Sequence, residues 1–268
     1  MNTVNASRGW SWVLTGFGLF RKSAARWAFI VFSYIMLMQL LGMVPVAGWF
    51  AATVLIPVFS ASFMIVSREL DQGRELKVPL LFSGFSSNLP ALLRQGGIYL
   101  ASALAILALS ATVDGGALFH LMVLGEKPPP TAFENGSLAA AAALAGTLYL
   151  PLLAAFWFAP ALSAWRQMSA FKAMFYSLFA VLRNWRAFFA YGVALVVLSL
   201  MCSLALFLLA LLLRGILGSK SQDAFLLVVL PVMLSYVPIM FASFYASYRD
   251  IFPEPEPEAV AAPSADEQ

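Results

Sequence analysis

The stretch IPVFSASFMIVSREL, residues 56–70, decides the fold because the chain repeats it near its other end. Residues 237–251 read VPIMFASFYASYRDI, and the two stretches align without a gap. Each has a proline, a small pair, an arginine and then an acid at matching positions. The aligned residues are Pro57/Pro238, Ala61/Ala242, Ser62/Ser243, Phe63/Phe244, Arg68/Arg249 and Glu69/Asp250. The repetition predicts that one structural unit occurs at least twice.

The composition is that of an all-α integral membrane protein. Of the 268 residues, 62% are hydrophobic and 11% are charged, whereas soluble domains carry about 25% charged residues. A membrane-spanning helix needs about 20 apolar residues. Residues 1–251 are therefore predicted to form one membrane domain, and the acidic, Pro-rich tail 252–268 is predicted to be disordered. The six predicted spans cover about 27–44, 48–67, 96–113, 138–164, 187–213 and 224–248.

The distribution of basic residues predicts the orientation. With a cytoplasmic N-terminus, thirteen of the sixteen Lys and Arg residues fall in cytoplasmic segments. Only Lys127, Arg214 and Lys220 fall outside. The positive-inside rule then predicts a multi-pass protein of the bacterial inner membrane with both termini in the cytoplasm. A basic belt at one leaflet suits anionic lipid headgroups rather than nucleic acid.

The spans are predicted to form three parallel hairpin-like units, each starting and ending in the cytoplasm. Aromatic and basic segments precede the first, fifth and third spans: GFGLFRKSAARWAF (16–29), SLFAVLRNWRAFFAYG (177–192) and the fainter LLFSGFSSNLPALLRQGGIY (80–99). Units that all start on one side are related by an axis along the membrane normal. The predicted units cover about 8–70, 76–165 and 169–250.

Two of the preceding segments have the periodicity of amphipathic helices. The segment that begins the first unit and the segment that begins the third unit each have an apolar stripe. The stripes are Trp10, Val13, Leu14, Phe17 and Phe20 in the first unit, and Phe171, Met174, Phe175, Leu178 and Leu182 in the third unit. Aromatic residues on one face and basic residues on the other predict helices that lie in the cytoplasmic headgroup layer. The alternative is that they are ordinary cytoplasmic helices packed under the bundle.

The repeated stretch also predicts local features of its helices. Pro57 and Pro238 each remove a backbone donor and should bend the helix. The small pairs that follow allow close helix approach, and Ser62 and Ser243 can hydrogen-bond back to the backbone.

Several motifs resemble a family of proteobacterial inner-membrane proteins. They are GWSWVLTGFGLFRKS, SRELDQGRELKVPLLFSGF, FAPALSAW, MSAFKAMFYSLFAVLRNWRAF and ASYRDIF, and the resemblance covers almost the whole chain. The segment LRNWR and the span layout are more distantly similar to the membrane-anchoring domain of some glycerophosphodiester phosphodiesterases. The resemblance implies a six-span inner-membrane protein of uncharacterised activity, and it supplies no catalytic residues.

The sequence predicts a protein that binds lipid or a membrane protein partner at the cytoplasmic leaflet, without enzymatic activity. The predicted spans hold no ionisable side chain of the kind that ion-coupled transport uses, and we predict no catalytic, cofactor-binding or metal residues. The alternative is a transporter or lipid flippase with an uncharged pathway. An intramembrane enzyme ranks last because no nucleophile and base are evident.

The predicted contact residues lie at the cytoplasmic ends of the spans. They are Arg21, Arg26, Arg68, Glu69, Arg183, Arg186, Arg249 and Asp250, as contacts to lipid headgroups or between units. A carboxylate at a helix C-terminus is unfavourable, so at least one acid should pair across units. The predicted pairs join Glu69 to Arg183 or Arg186, or Asp250 to Arg21 or Arg26. The alternative is that both acids face water.

Overall fold

The computed structural model describes the backbone of residues 1–217 and 222–253, and the side chains of residues 1–212 and 232–253. Every regular element in this part of the chain is helical. The α-helices are α1 (Ser7–Lys22), α2 (Ala24–Gly42), α3 (Ala47–Asp71), α4 (Leu89–Asp114), α5 (Ala117–Phe119), α6 (Pro130–Glu134), α7 (Ser137–Trp157), α8 (Ala159–Arg166), α9 (Ala170–Arg183), α10 (Trp185–Leu217) and α11 (Gln222–Ile251). A 3-10 helix covers Val78–Ser86, and a π-helix covers His120–Leu124.

Among the described residues, five helical stretches are long and apolar enough to cross a membrane. They are Ala24–Gly42, Ala47–Asp71, Leu89–Asp114, Ser137–Arg166 and Trp185–Leu212, and they match the first five predicted spans. The sixth predicted span, 224–248, lies within α11. Its first eight side chains fall outside the described residues, so the sixth span stays a prediction. The predicted disordered tail lies outside the described residues from position 254 onward.

The two copies of the repeated stretch contact each other at the centre of the bundle. The first copy (residues 56–70) lies in α3 and the second copy (residues 237–251) lies in α11. The rings of Phe63 and Phe241 stack with centroids 4.5 Å apart, and Trp27 of α2 covers Phe63 from another side. Nearer their C-termini, Arg249 contacts Asp71. From the first contact to the second, the residue numbers increase in both helices, so α3 and α11 run in the same direction.

Each segment that precedes a pair of spans packs on the last span of another predicted unit. Helix α1 packs on α11, the 3-10 helix packs on α3, and α9 packs on α7 and α8. These three contacts link the three predicted units in a closed ring, because each unit's first segment contacts another unit's last span.

A small residue sits at the centre of each of these contacts. A Cβ at Gly16 would lie 2.6 Å from the carbonyl oxygen of Ile239. A Cβ at Gly84 would collide with the carbonyl oxygen of Val58, and the Gly84 N–H donates to Ser62 Oγ at 2.9 Å. Such close approaches exclude any side chain larger than hydrogen.

The third contact has the same spacing with a serine in place of glycine. The Ser177 hydroxyl donates to the carbonyl oxygen of Ala154 at 2.8 Å and accepts the Phe158 N–H at 2.8 Å. These two partners are four residues apart, as Val58 and Ser62 are. The Gly16 contact falls on Ile239 and Ser243, which have this spacing too.

The serines of the repeated stretch bond back to the backbone, which confirms that prediction. Ser62 Oγ donates to the carbonyl oxygen of Val58 at 3.2 Å. Ser243 Oγ donates to the carbonyl oxygen of Met240 at 2.6 Å. Both donors lie in the helical turn that follows the proline.

Helix α9 turns small side chains inward, and both α1 and α9 leave large apolar side chains exposed. The inner face of α9 consists of Ala170, Ala173, Ser177 and Ala180. Its Phe171 is 74% exposed. In α1, Trp12 is buried, whereas Trp10, Leu14 and Phe17 of the predicted stripe are exposed.

Candidate functional site

A cavity of about 310 Å³ opens where the C-terminal ends of α3, α8 and α11 meet. We call it the arginine pocket. Its lining residues are Arg68, Asp71, Gln72, Trp165, Tyr245, Tyr248, Arg249, Phe252 and Pro253. Its volume lies at the lower end of the 300–1,000 Å³ typical of small-molecule sites.

One carboxylate organises the α11 side of the arginine pocket. Arg249 Nη1 lies 2.7 Å from Asp71 Oδ2, and the Tyr245 hydroxyl donates to the same oxygen at 3.0 Å. Asp71 is the last residue of α3, and the other two lie one turn apart on α11. The two contacts hold the Arg249 guanidinium at the pocket wall.

Aromatic rings hold the arginine on the α3 side. The guanidinium carbon of Arg68 lies 5.3 Å from the Trp165 ring centroid, a distance at which a cation is attracted to the ring face. The Trp165 ring in turn packs on Tyr248 with centroids 4.8 Å apart. Arg68 of α3 is thereby oriented by side chains from α8 and α11.

A third arginine, Arg166 of α8, holds the two residues that follow α11. Arg166 Nη2 donates to the carbonyl oxygen of Pro253 at 3.1 Å. Its guanidinium carbon also lies 5.5 Å from the Phe252 ring centroid. Arg68, Arg166 and Arg249 each lie in the last turn of their helix. Arg68 and Arg249 line the arginine pocket itself, whereas Arg166 holds Phe252 and Pro253 at its edge.

The arginine pocket has the chemistry of an anion site. Its lining carries two guanidinium groups and one carboxylate, which leaves one net positive charge. Guanidinium groups match phosphate oxygens through two parallel hydrogen bonds. In the part of the chain that the structure describes, no three His, Cys, Asp or Glu side chains gather as metal ligands.

Glu69, near the end of α3, pairs with Arg74 of the loop that follows, so its predicted partners Arg183 and Arg186 are wrong. Arg74 Nη2 donates to Glu69 Oε1 at 2.6 Å, and this hydrogen bond raises the pKa of the Arg74 guanidinium above its ordinary value. Gly73, with φ of 73°, turns the chain back after the helix. In the sequence, the glycine just after the helix was the available signal that the chain turns back here and that Glu69 pairs locally.

Asp250 does pair with the first predicted unit, but its partners in that unit are not the two arginines predicted from the sequence. Its Oδ2 lies 2.6 Å from Arg8 Nη2 and accepts the Trp12 indole N–H at 2.7 Å. The predicted partners Arg21 and Arg26 are therefore wrong. The reason is that α1 runs antiparallel to α11 from its first turn, which brings Arg8 rather than the end of α1 to Asp250.

The other predicted contact residues do not gather at the arginine pocket. Arg26 pairs with Glu75 at 2.7 Å, and Arg183 Nε donates to Thr3 Oγ1 at 2.8 Å. Arg21 lies over the ring of Phe17, and Arg186 over the ring of Trp185. Of the eight predicted residues, the pocket lining contains Arg68 and Arg249.

The residues that hold those two arginines were not predicted from the sequence. They are Asp71, Trp165, Tyr245 and Tyr248. One signal was available, because WRQ at 165–167 and YRD at 248–250 share an aromatic residue before the arginine. The pairing of Asp71 with α11 had no such signal, since it depends on how α3 and α11 pack.

The chain has a close relative among curated proteins. It is 35% identical over 271 residues to a probable inner membrane protein of Burkholderia thailandensis, with 99% of this chain and 98% of the relative aligned. No family model matches the chain, and no solved structure matches it. These comparisons show no similarity to glycerophosphodiester phosphodiesterases, so that distant resemblance stays a prediction. An identity of this size over essentially the whole of both chains places the protein in the same family as this probable inner membrane protein.

Proposed function

We propose that this protein binds anionic phospholipid headgroups at the cytoplasmic leaflet of the inner membrane, in the arginine pocket, and has no enzymatic activity. The observation that carries the proposal is the meeting of Arg68 and Arg249 in one aromatic-walled cavity. A cavity at the cytoplasmic ends of membrane helices faces the phosphate layer of that leaflet. Neither arginine needs to move far to reach a phosphate, because Asp71 and Trp165 already orient them.

The proposed body is a six-span bundle made of three parallel units. The ring of contacts made by α1, the 3-10 helix and α9 supports this arrangement. In each contact, a small residue packs against two residues that are four positions apart in the partner segment. Three contacts of one geometry are what three related units would produce.

The proposed orientation puts both termini in the cytoplasm, with α1 and α9 in contact with the headgroup layer. Phe171 and Phe175 of α9 are 74% and 59% exposed, while the alanines of the same helix are buried. Large exposed apolar stripes mark surfaces that something apolar covers, and small residues allow the helices to pack closely on the bundle. Reporter fusions after Gln268 and within 115–135 test the orientation, and an external reporter signal at Gln268 contradicts it.

Lipid retained through purification tests the headgroup site. Native mass spectrometry of the wild-type protein in a neutral detergent should show bound anionic phospholipid. Arg68→Gln should lose most of it while preserving the Asp71–Arg249 pair that supports the fold. Arg94→Gln is the matched control, because Arg94 is an exposed arginine outside the pocket lining, and it should retain the lipid. Equal retention by both variants contradicts the proposal.

A further inference from the structure

A second cavity, of about 210 Å³, lies on the extracytoplasmic side of the arginine pocket, and its lining comes mainly from α3, α7 and α11, with single residues from α2, α4 and α8. We call it the aromatic groove. Among the described residues its lining carries no charged side chain. The main walls are Phe59, Phe63, Trp157 and Phe241, and the hydroxyl of Ser60 also faces it. The groove is smaller than most small-molecule sites, which suits one extended chain rather than a compact ligand.

The two cavities are stacked at the spacing of a lipid's own parts. On α3, Phe63 lines the groove and Arg68 lines the pocket; on α8, Pro160 and Trp165 do the same. Five residues of helix span about 7.5 Å. The polar layer of one leaflet is about 5–8 Å thick, from the difference between the whole bilayer and its hydrocarbon core. A phosphate in the pocket therefore places the start of a hydrocarbon chain level with the groove.

The groove is open to the bilayer and apolar, so hydrocarbon is what fills it. Ile56 and Leu153 at its rim are 42% and 40% exposed. A cavity with apolar walls does not hold water, which needs several polar partners. The surrounding solvent at this depth is the hydrocarbon of lipid chains.

We infer that the aromatic groove binds an acyl chain of the same anionic phospholipid whose phosphate lies in the arginine pocket. This inference rests on the proposed headgroup site. The apolar walls of the groove match the chain, and the guanidinium groups of Arg68 and Arg249 match the phosphate. The protein thus recognises a whole lipid rather than a free phosphate ester.

The test separates the chain from the headgroup. Dioleoylphosphatidylglycerol, or its deacylated headgroup glycerophosphoglycerol, is added to delipidated protein in a neutral detergent, and the unfolding midpoint is followed. Wild-type protein should be stabilised by the lipid at a concentration at least tenfold lower than by the headgroup. Ser60→Trp fills the groove and should raise the required lipid concentration at least tenfold, whereas the matched Ser60→Ala should leave it unchanged.

The outcomes distinguish the two proposals. If Ser60→Trp responds to the lipid as wild type does, the chain site is overturned and the headgroup site stands. If Arg68→Gln responds to the lipid as wild type does, the headgroup site is overturned as well. Where Ser60→Trp does not fold, wild-type protein is irradiated with phosphatidylglycerol that carries a photoreactive group in its chain. Crosslinks within 56–63 or 153–160 support the inference, and crosslinks confined to other segments overturn it.

Discussion

The first and second copies of the repeated stretch have similar sequences, but their matching residues form hydrogen bonds and ion pairs with different parts of the protein. In the first copy, Ser62 accepts a backbone N–H from Gly84. In the second, Ser243 exchanges a hydrogen bond with the Tyr191 hydroxyl. Glu69 of the first copy pairs inside its own loop, whereas Asp250 of the second reaches α1.

The difference separates what the repeated stretch specifies from what its surroundings specify. In both copies the proline, the small pair and the serine produce a helix that another segment approaches closely. The charged ends then take the partners that the local chain supplies. A loop turned by Gly73 provides one partner, and an antiparallel helix provides the other.

The largest effect is expected from substitutions that prevent the close helix approach found at both copies. Gly84→Ala and Gly16→Ala each drive a Cβ into backbone atoms that cannot move aside. We expect each to lower the free energy of unfolding by about 3 kcal/mol, the upper end for overpacking. Gly18→Ala is the matched control in α1, because a Cβ there meets nothing within 4 Å. Thermal unfolding in detergent measures the three, and equal midpoints would remove the shared contact from the account.

The next effect sharpens the contrast between the two acids. Asp250→Ala leaves the buried Trp12 indole N–H without its acceptor and Arg8 without its counter-ion. We expect a loss of about 2 kcal/mol. Glu69→Ala breaks a pair whose arginine is 55% exposed, so its cost should stay below about 1 kcal/mol. An equal loss of stability from the two substitutions, measured by thermal unfolding, contradicts the contrast.

The two serines should differ by less. Ser62→Ala leaves the buried Gly84 N–H without an acceptor, and we expect a cost of about 1 kcal/mol. Ser243→Ala leaves the Tyr191 hydroxyl, which can turn about its C–O bond, whereas the Gly84 N–H is fixed by the backbone, so the cost of Ser243→Ala should be smaller. Unfolding midpoints of the two variants give the order, and a larger cost for Ser243→Ala reverses our ranking.

The smallest effect on stability falls on the outer face of α1. Phe17→Ser should change the free energy of unfolding by less than about 0.5 kcal/mol, because Phe17 is 46% exposed. A spin label at position 17 in bilayers should be more accessible to oxygen than to a water-soluble nickel complex. The opposite order of accessibility places this face of α1 in water.

Local sequence predicted the spans well because hydropathy is a property of each stretch by itself. The predicted 27–44 and 48–67 fall inside or within two residues of α2 and α3. The partner of Asp250 could not be predicted in this way. It depends on α1 lying along α11, and Gly16 permits that contact only when both helices are already placed.

The candidate site was predictable in part for the same reason. Arg68 and Arg249 carried a signal because they recur at one place in the repeated stretch. Asp71 and Trp165 come from the ends of different helices, and only tertiary packing brings them together. A sequence pattern indicates which arginines lie at the membrane surface, but packing decides which of them share a cavity.

The most direct test of the central claim is a comparison of two lipids that differ in headgroup charge and have identical chains. Purified, delipidated protein in a neutral detergent is titrated with dioleoylphosphatidylglycerol or dioleoylphosphatidylcholine while its unfolding midpoint is followed. The account predicts greater stabilisation by phosphatidylglycerol, and loss of that preference in Arg68→Gln but not in Arg94→Gln. Equal stabilisation of the wild-type protein by the two lipids would contradict an anionic headgroup site in the arginine pocket.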